Sequence, residues 1–137
     1  MVPYLHNYRL FISHAWRYSE GYTRAVSFLN GSPYFKWTNY SVPEDRRFGN
    51  MSIYALKEEL RDQIRPVQCV VVLAGMYAAH SDWIQFEIDF ARSLNKPILG
   101  IVPWGGERTP LCVTLAANKV VRWNSSSIIS GIREITP

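Results

Sequence analysis

The chain has 137 residues, 47% of them hydrophobic, 14% aromatic and 19% charged, which suits one globular domain over residues 1–137 and excludes disordered and fibrous classes. Its longest apolar run, Cys69 to Ala74, is far shorter than the roughly 20 residues of a membrane span, and no charged segment leads into an apolar one at the N-terminus, so a cytoplasmic chain with no membrane contact is expected. Lys and Arg number 15 against 11 Asp and Glu, a net charge of +4, but these bases are scattered and form no stripe, so nucleic acid is not an expected partner.

Tyr8 to Ile12 reads as a short apolar strand, followed by a polar turn from Ser13 to Ser19 and a helix from Glu20 to Leu29 that stops at Asn30-Gly31-Ser32-Pro33. Phe35 to Val42 alternates aromatic and polar residues, as a strand near a sheet edge does, and Pro43 to Asn50 forms a charged loop. Met51 to Arg65 places Ile53, Leu56, Leu60 and Ile64 at amphipathic helical spacing, and Pro66 ends it. Cys69 to Leu73 and Ile98 to Val102 are continuous apolar runs, the mark of parallel strands covered on both faces. Between them lies a helix from Asp82 to Asn95. Thr109-Pro110 opens a short helix, Lys119 to Trp123 gives a fifth strand, and Ser125 to Ile135 the last helix.

Strand and helix alternate about five times with short connections, which predicts an α/β fold: a three-layer, doubly wound sandwich around a five-stranded parallel sheet. Ligands of such folds bind beyond the carboxyl ends of the strands. The segments to inspect are therefore Ser13 to Ser19, Pro43 to Asn50, Ala74 to Trp83 and Pro103 to Thr109.

The helix from Asp82 to Asn95 separates a polar face (Asp82, Gln85, Asp89, Arg92) from an apolar one (Trp83, Ile84, Phe86, Ile88, Phe90, Ala91, Leu94), and Glu87 falls in the middle of the apolar side. Desolvation there disfavours its ionised form unless donors are supplied. Such a carboxylate either is buried to pair with an Arg or cap a loop, or serves chemistry at the edge of a cleft, and the last reading is preferred. Phe11-Ile12-Ser13-His14-Ala15-Trp16 runs off the first strand, bringing a hydroxyl, an imidazole and an indole to the ligand-binding rim. Ser13 can equally turn the chain, whereas an exposed indole at Trp16 covers or stacks on something.

Several chemistries are excluded. No GxGxxG or GxxxxGK[ST] segment follows a strand, and Ser13 lacks the flanking glycines of a nucleophile elbow. His6, His14 and His80 are not at zinc spacing, and Cys69 and Cys112 alone make neither a disulfide framework nor a metal site, so no metal is expected. The acidic residues of a phospho-receiver are missing.

Tyr8-Arg9-Leu10-Phe11-Ile12-Ser13-His14 resembles the first motif of TIR domains, and Ser81-Asp82-Trp83-Ile84-Gln85-Phe86-Glu87 matches the Ser-x-Trp-x-x-x-Glu pattern of enzymatic TIR domains. The segment from Val42 to Gly49 stands where TIR domains carry their BB loop. Phe11 to Trp16, Ser41-Val42-Pro43-Glu44-Asp45, Ala74-Gly75-Met76-Tyr77 and Pro103-Trp104-Gly105 are similar to the TIR-like domain of bacterial Thoeris-type anti-phage systems.

The resemblance implies a flavodoxin-like TIR fold and an enzyme with NAD⁺ as substrate and no permanently bound cofactor. Such an enzyme cleaves the nicotinamide glycosidic bond and releases ADP-ribose or cyclises it into a signalling nucleotide. Glu87 would be catalytic, Phe11, Ser13, His14 and Trp16 would line the nucleotide, Trp83 would pack beside the glutamate, and Asp45 would contribute from the loop. It further implies a homo-oligomer on activation and a separate effector that senses the product. Ile84 stands where a Cys often follows the helix Trp, and Arg46-Arg47-Phe48 replaces the loop sequence of animal receptor TIRs, which makes adaptor-style signalling a poorer fit. The competing reading is a non-enzymatic TIR interaction module in which Glu87 is structural.

Overall fold

A computed structural model describes residues 6–13, 20–40, 53–73, 77–102 and 111–136, with the side chains of 13, 20–22, 53, 56, 77–83 and 112 left aside. Five strands, β1 (Asn7–Ser13), β2 (Lys36–Asn39), β3 (Cys69–Leu73), β4 (Ile98–Ile101) and β5 (Lys119–Val121), alternate with α1 (Glu20–Asn30), α2 (Ile53–Ile64), α3 (Tyr77–Ser93), α4 (Leu111–Ala116) and α5 (Ser125–Ile135). All pairings are parallel, in the order β2-β1-β3-β4-β5. The doubly wound sheet expected from the alternation is therefore present, with β3 central and β2 at an edge.

Side-chain alternation splits the strands between two cores. Phe11, Val70, Val72 and Ile98 meet Leu60 and Ile64 of α2, Ile84, Ile88 and Ala91 of α3, and Val113 of α4. On the opposite face Leu10, Ile12, Val71, Leu73, Leu99, Ile101 and Val121 meet Ala25 and Leu29 of α1 and Ile128, Ile129 and Ile132 of α5. All five residues of β3 are buried, which explains why its sequence is apolar without a break.

The element ends depart from the sequence reading for local reasons. β2 covers only Lys36–Asn39, because Phe35 turns into the core while three of the four strand residues are exposed. α3 begins at Tyr77 rather than Asp82, and it ends at Ser93 rather than Asn95. Asn95 takes a left-handed φ of 57°, its N–H donates to Arg92 O and the N–H of Lys96 to Ala91 O. This is a Schellman cap, for which Asn is the best substitute for glycine. Leu94, assigned to the apolar face by periodicity, lies in that cap and is 39% exposed. At α5 the side chain of Asn124 accepts the N–H of Ser127 at 2.7 Å, an N-cap of the expected type. Among the described residues no helix is long and apolar enough to cross a membrane.

Candidate active site

From β1 the chain goes to β2 on one side of the sheet, and from β3 it goes on to β4 and β5 on the other. The switch point lies between β1 and β3, where connections diverge and leave a crevice at the carboxyl ends of the strands. Ser13 ends β1 opposite Val72 and so stands at that edge. Phe11, two residues earlier, is 1% exposed and packs in the same core as Ile84 and Ile88 of α3.

α3 has 17 residues and β3 has 5, or about 25 Å of helix against about 16 Å of strand. The helix is therefore about 9 Å longer than the strand it follows.

Ile84, Glu87, Ile88 and Ala91 are the buried stripe of α3. Their spacing of three, four and seven is that of a helix face turned to a core, and Glu87 takes a place suited to Leu or Ile. It is 3% exposed, and burial pushes its carboxyl well above the ordinary glutamate range. Among the described residues it makes no hydrogen bond or ion pair. Glu87 is thus buried on the core side of α3, and among the described residues no Arg partners it. A neutral carboxyl in that position can donate a proton, and it gains charge when a cation is brought against it.

Of the residues singled out from sequence, the structure brings Phe11 and Glu87 to the same face of the sheet and Ser13 to its carboxyl edge, and it places Trp83 on α3 one turn before Glu87. His14, Trp16 and Asp45 lie outside the described residues. The outer flank of α3 carries a feature that the sequence reading passed over. Phe86 and Phe90 stack with ring centroids 6.4 Å apart, and Lys57 and Arg61 of α2 and Arg65 just past its end lie over them. The spacing of these bases by four was visible in the chain, but the rings that receive them were not.

A cavity of about 470 Å³ beside β5 is lined by Val102, Lys119, Arg122, Ser126, Ser127 and Ser130, among others. It contains none of the residues singled out for catalysis. No group of three or more His, Cys, Asp or Glu that could hold a metal occurs among the described residues.

Residues 11–108 match the family model of the Thoeris protein ThsB, TIR-like domain. The chain belongs to this ThsB TIR-like family. The matched span begins at Phe11 within β1, holds β2 to β4 and contains Glu87. Among solved structures, the TIR-like chain is similar to the Clostridium botulinum CMP N-glycosidase BcmB, at 16% identity and a TM-score of 0.57, over 92% of this chain and 98% of the other. That likeness concerns the fold. No curated protein matches the chain.

Proposed function

We propose that this TIR-like chain cleaves the N-glycosidic bond of NAD⁺, and that it does so in the cytoplasm as part of anti-phage defence. The observation that carries the reading is Glu87, a desolvated carboxyl on the core stripe of α3. Membership of the ThsB family supports the setting, and the glycosidase title of a structural neighbour supports the class of reaction.

In NAD⁺ the nicotinamide ring is a cationic leaving group. Bringing it against a buried carboxyl favours the ionised form of that carboxyl. As the C1′–N bond breaks, its electron pair goes to the ring nitrogen and neutralises it, and positive charge passes to the ribose. Carboxylate Glu87 stabilises that developing charge, and it does so more strongly in a site poor in water. The ribose cation is then captured by water, giving ADP-ribose, or by an atom of the adenine, giving a cyclic nucleotide. Phe11, Ser13, His14, Trp16, Trp83 and Asp45 are the residues proposed to hold the nucleotide. A cyclic product would act on a separate effector, and self-association would complete the site.

A second reading has one observation in its favour: the structural neighbour is titled a CMP N-glycosidase. Cytosine leaves as a poor anion unless it is protonated, and a neutral Glu87 could supply that proton.

The two readings differ in sign with pH. Concentrated protein is incubated with NAD⁺ or with CMP, and the free base is followed by chromatography beside Glu87→Gln. On the preferred reading nicotinamide appears, its rate rises with pH as Glu87 ionises, and the variant loses about 100-fold or more. Cytosine release that falls as pH rises would favour the second. No base from either nucleotide, with folded and self-associated protein, would return the chain to the interaction-module reading.

A further inference from the structure

The bases over the outer flank of α3 form a ladder. Lys57 Nζ stands 5.3 Å from the centroid of Phe86, and Arg65 Cζ 5.6 Å from that of Phe90. Arg61 Cζ lies between them, 5.2 Å from Phe86 and 5.9 Å from Phe90. It is the one base of the three described as meeting both rings. The rings are nearly parallel, at 8°, and a flat guanidinium suits such a pair better than an ammonium does. Glu58 forms an ion pair with Arg61, so the guanidinium is tethered from its own helix, and Asp62 does the same for Arg65.

At about 100° per residue, Phe86 and Phe90 project about 100° and 60° from Glu87 on the same side of the α3 axis. Whatever grips those rings also sets the rotation of Glu87. Phe86 and Phe90 also pack against the core from the flank, and among the described residues the buried apolar groups on the inner side of α3 are the branched or small Ile84, Ile88 and Ala91. These resist separation from the sheet more than rotation about the axis. A rotation of α3 by about 20° would move a side-chain end about 6 Å from the axis by about 2 Å, more than catalytic geometry tolerates.

We propose that Arg61 is a positioning residue: by lying across Phe86 and Phe90 it fixes the rotation of α3 and the depth at which the carboxyl of Glu87 stands. The proposal rests on the reading of Glu87 as the reacting carboxyl. Lys57 and Arg65, each over one ring, steady the ends of the ladder.

The test uses the full chain with Arg61→Met, which keeps the length of the side chain and removes its charge, and Arg61→Lys, which keeps the charge. Base release gives kcat and KM. NMR of carboxyl-labelled glutamate gives the titration of Glu87, assigned with Glu87→Gln. Arg61→Met is expected to lower kcat about tenfold or more with KM within about twofold. Water would then reach a rotated Glu87, moving its titration down by about one unit. Loss of a positive charge alone would leave the titration in place or move it up, so the sign separates positioning from simple charge. Arg61→Lys should recover most of kcat.

A folded Arg61→Met with wild-type kcat, or with a titration that stays or rises, overturns the proposal. Should Arg61→Met not fold, Phe90→Leu, which removes one ring from the bridge, is read in the same two ways. Absence of base release from the wild type would refute the catalytic reading of Glu87, and the titration would still decide the role of Arg61.

Discussion

Glu87→Gln is expected to raise the stability of the fold at neutral pH relative to wild type, by an amount that depends on pH. The residue is 3% exposed, and burial pushes its carboxyl well above the ordinary glutamate range. Below the unfolded value, both folded and unfolded chains hold the proton, and the group contributes its full stability. Above it the unfolded chain releases its proton while the folded chain keeps it. Stability therefore falls by about 1.4 kcal/mol per pH unit until the folded pKa is passed. Gln has nearly the same shape and does not titrate, so its buried amide costs a fixed amount, about 1–3 kcal/mol, at every pH. The difference between the two proteins should then grow by about 1.4 kcal/mol over the first pH unit above the ordinary glutamate value, about 3–6 °C in Tm for a domain of this size. Paired thermal melts by circular dichroism from about pH 4 to pH 8 measure it. Melting temperatures that run parallel across that window would refute a desolvated carboxyl at this position.

Two further substitutions test the packing that carries the site. A Cβ added at Gly131 would stand 2.8 Å from Leu99 Cδ1 and 3.2 Å from Val121 Cγ1, both in the core under α5. Gly131→Ala should thus lose about 1–3 kcal/mol to overpacking, offset in part by a gain in helix propensity of about 1 kcal/mol, and urea unfolding should show a net loss. Asn124→Ala removes the side-chain acceptor of Ser127 N–H and should cost about 1 kcal/mol, read as a lower Tm with base release unchanged.

The strands were legible wherever both faces are buried. Cys69–Leu73 falls where its unbroken apolar run places it, and Ser125–Ile135 follows directly from its cap and periodicity. The ends of α3 were harder. Ser81-Asp82 resembles a helix start, yet the helix runs through it from Tyr77, and the stop at Ser93 depends on a left-handed Asn95 that periodicity does not register. Glu87 stood out because a carboxylate interrupted an apolar stripe, and its burial bears out that this face turns inward. The base ladder stayed hidden. Lys57 and Arg61 on α2 and Arg65 just past its end are evenly spaced, but their partners come from a helix more than twenty residues on and are chosen by how two helices pack.

β2 is four residues long, pairs with β1 among the described residues, and has three of its four residues exposed. The hydrogen bonds beyond the strand ladder include Asn7 Nδ2 to Thr38 Oγ1 at 3.0 Å, Trp37 Nε1 to Asn30 Oδ1 at 2.9 Å and Tyr40 N to Leu10 O at 2.8 Å. An exposed edge of this length opens at less cost than β3 and β4, whose side chains are buried throughout. The stiffness of the sheet is thus graded, rigid at its buried centre and more yielding at β2.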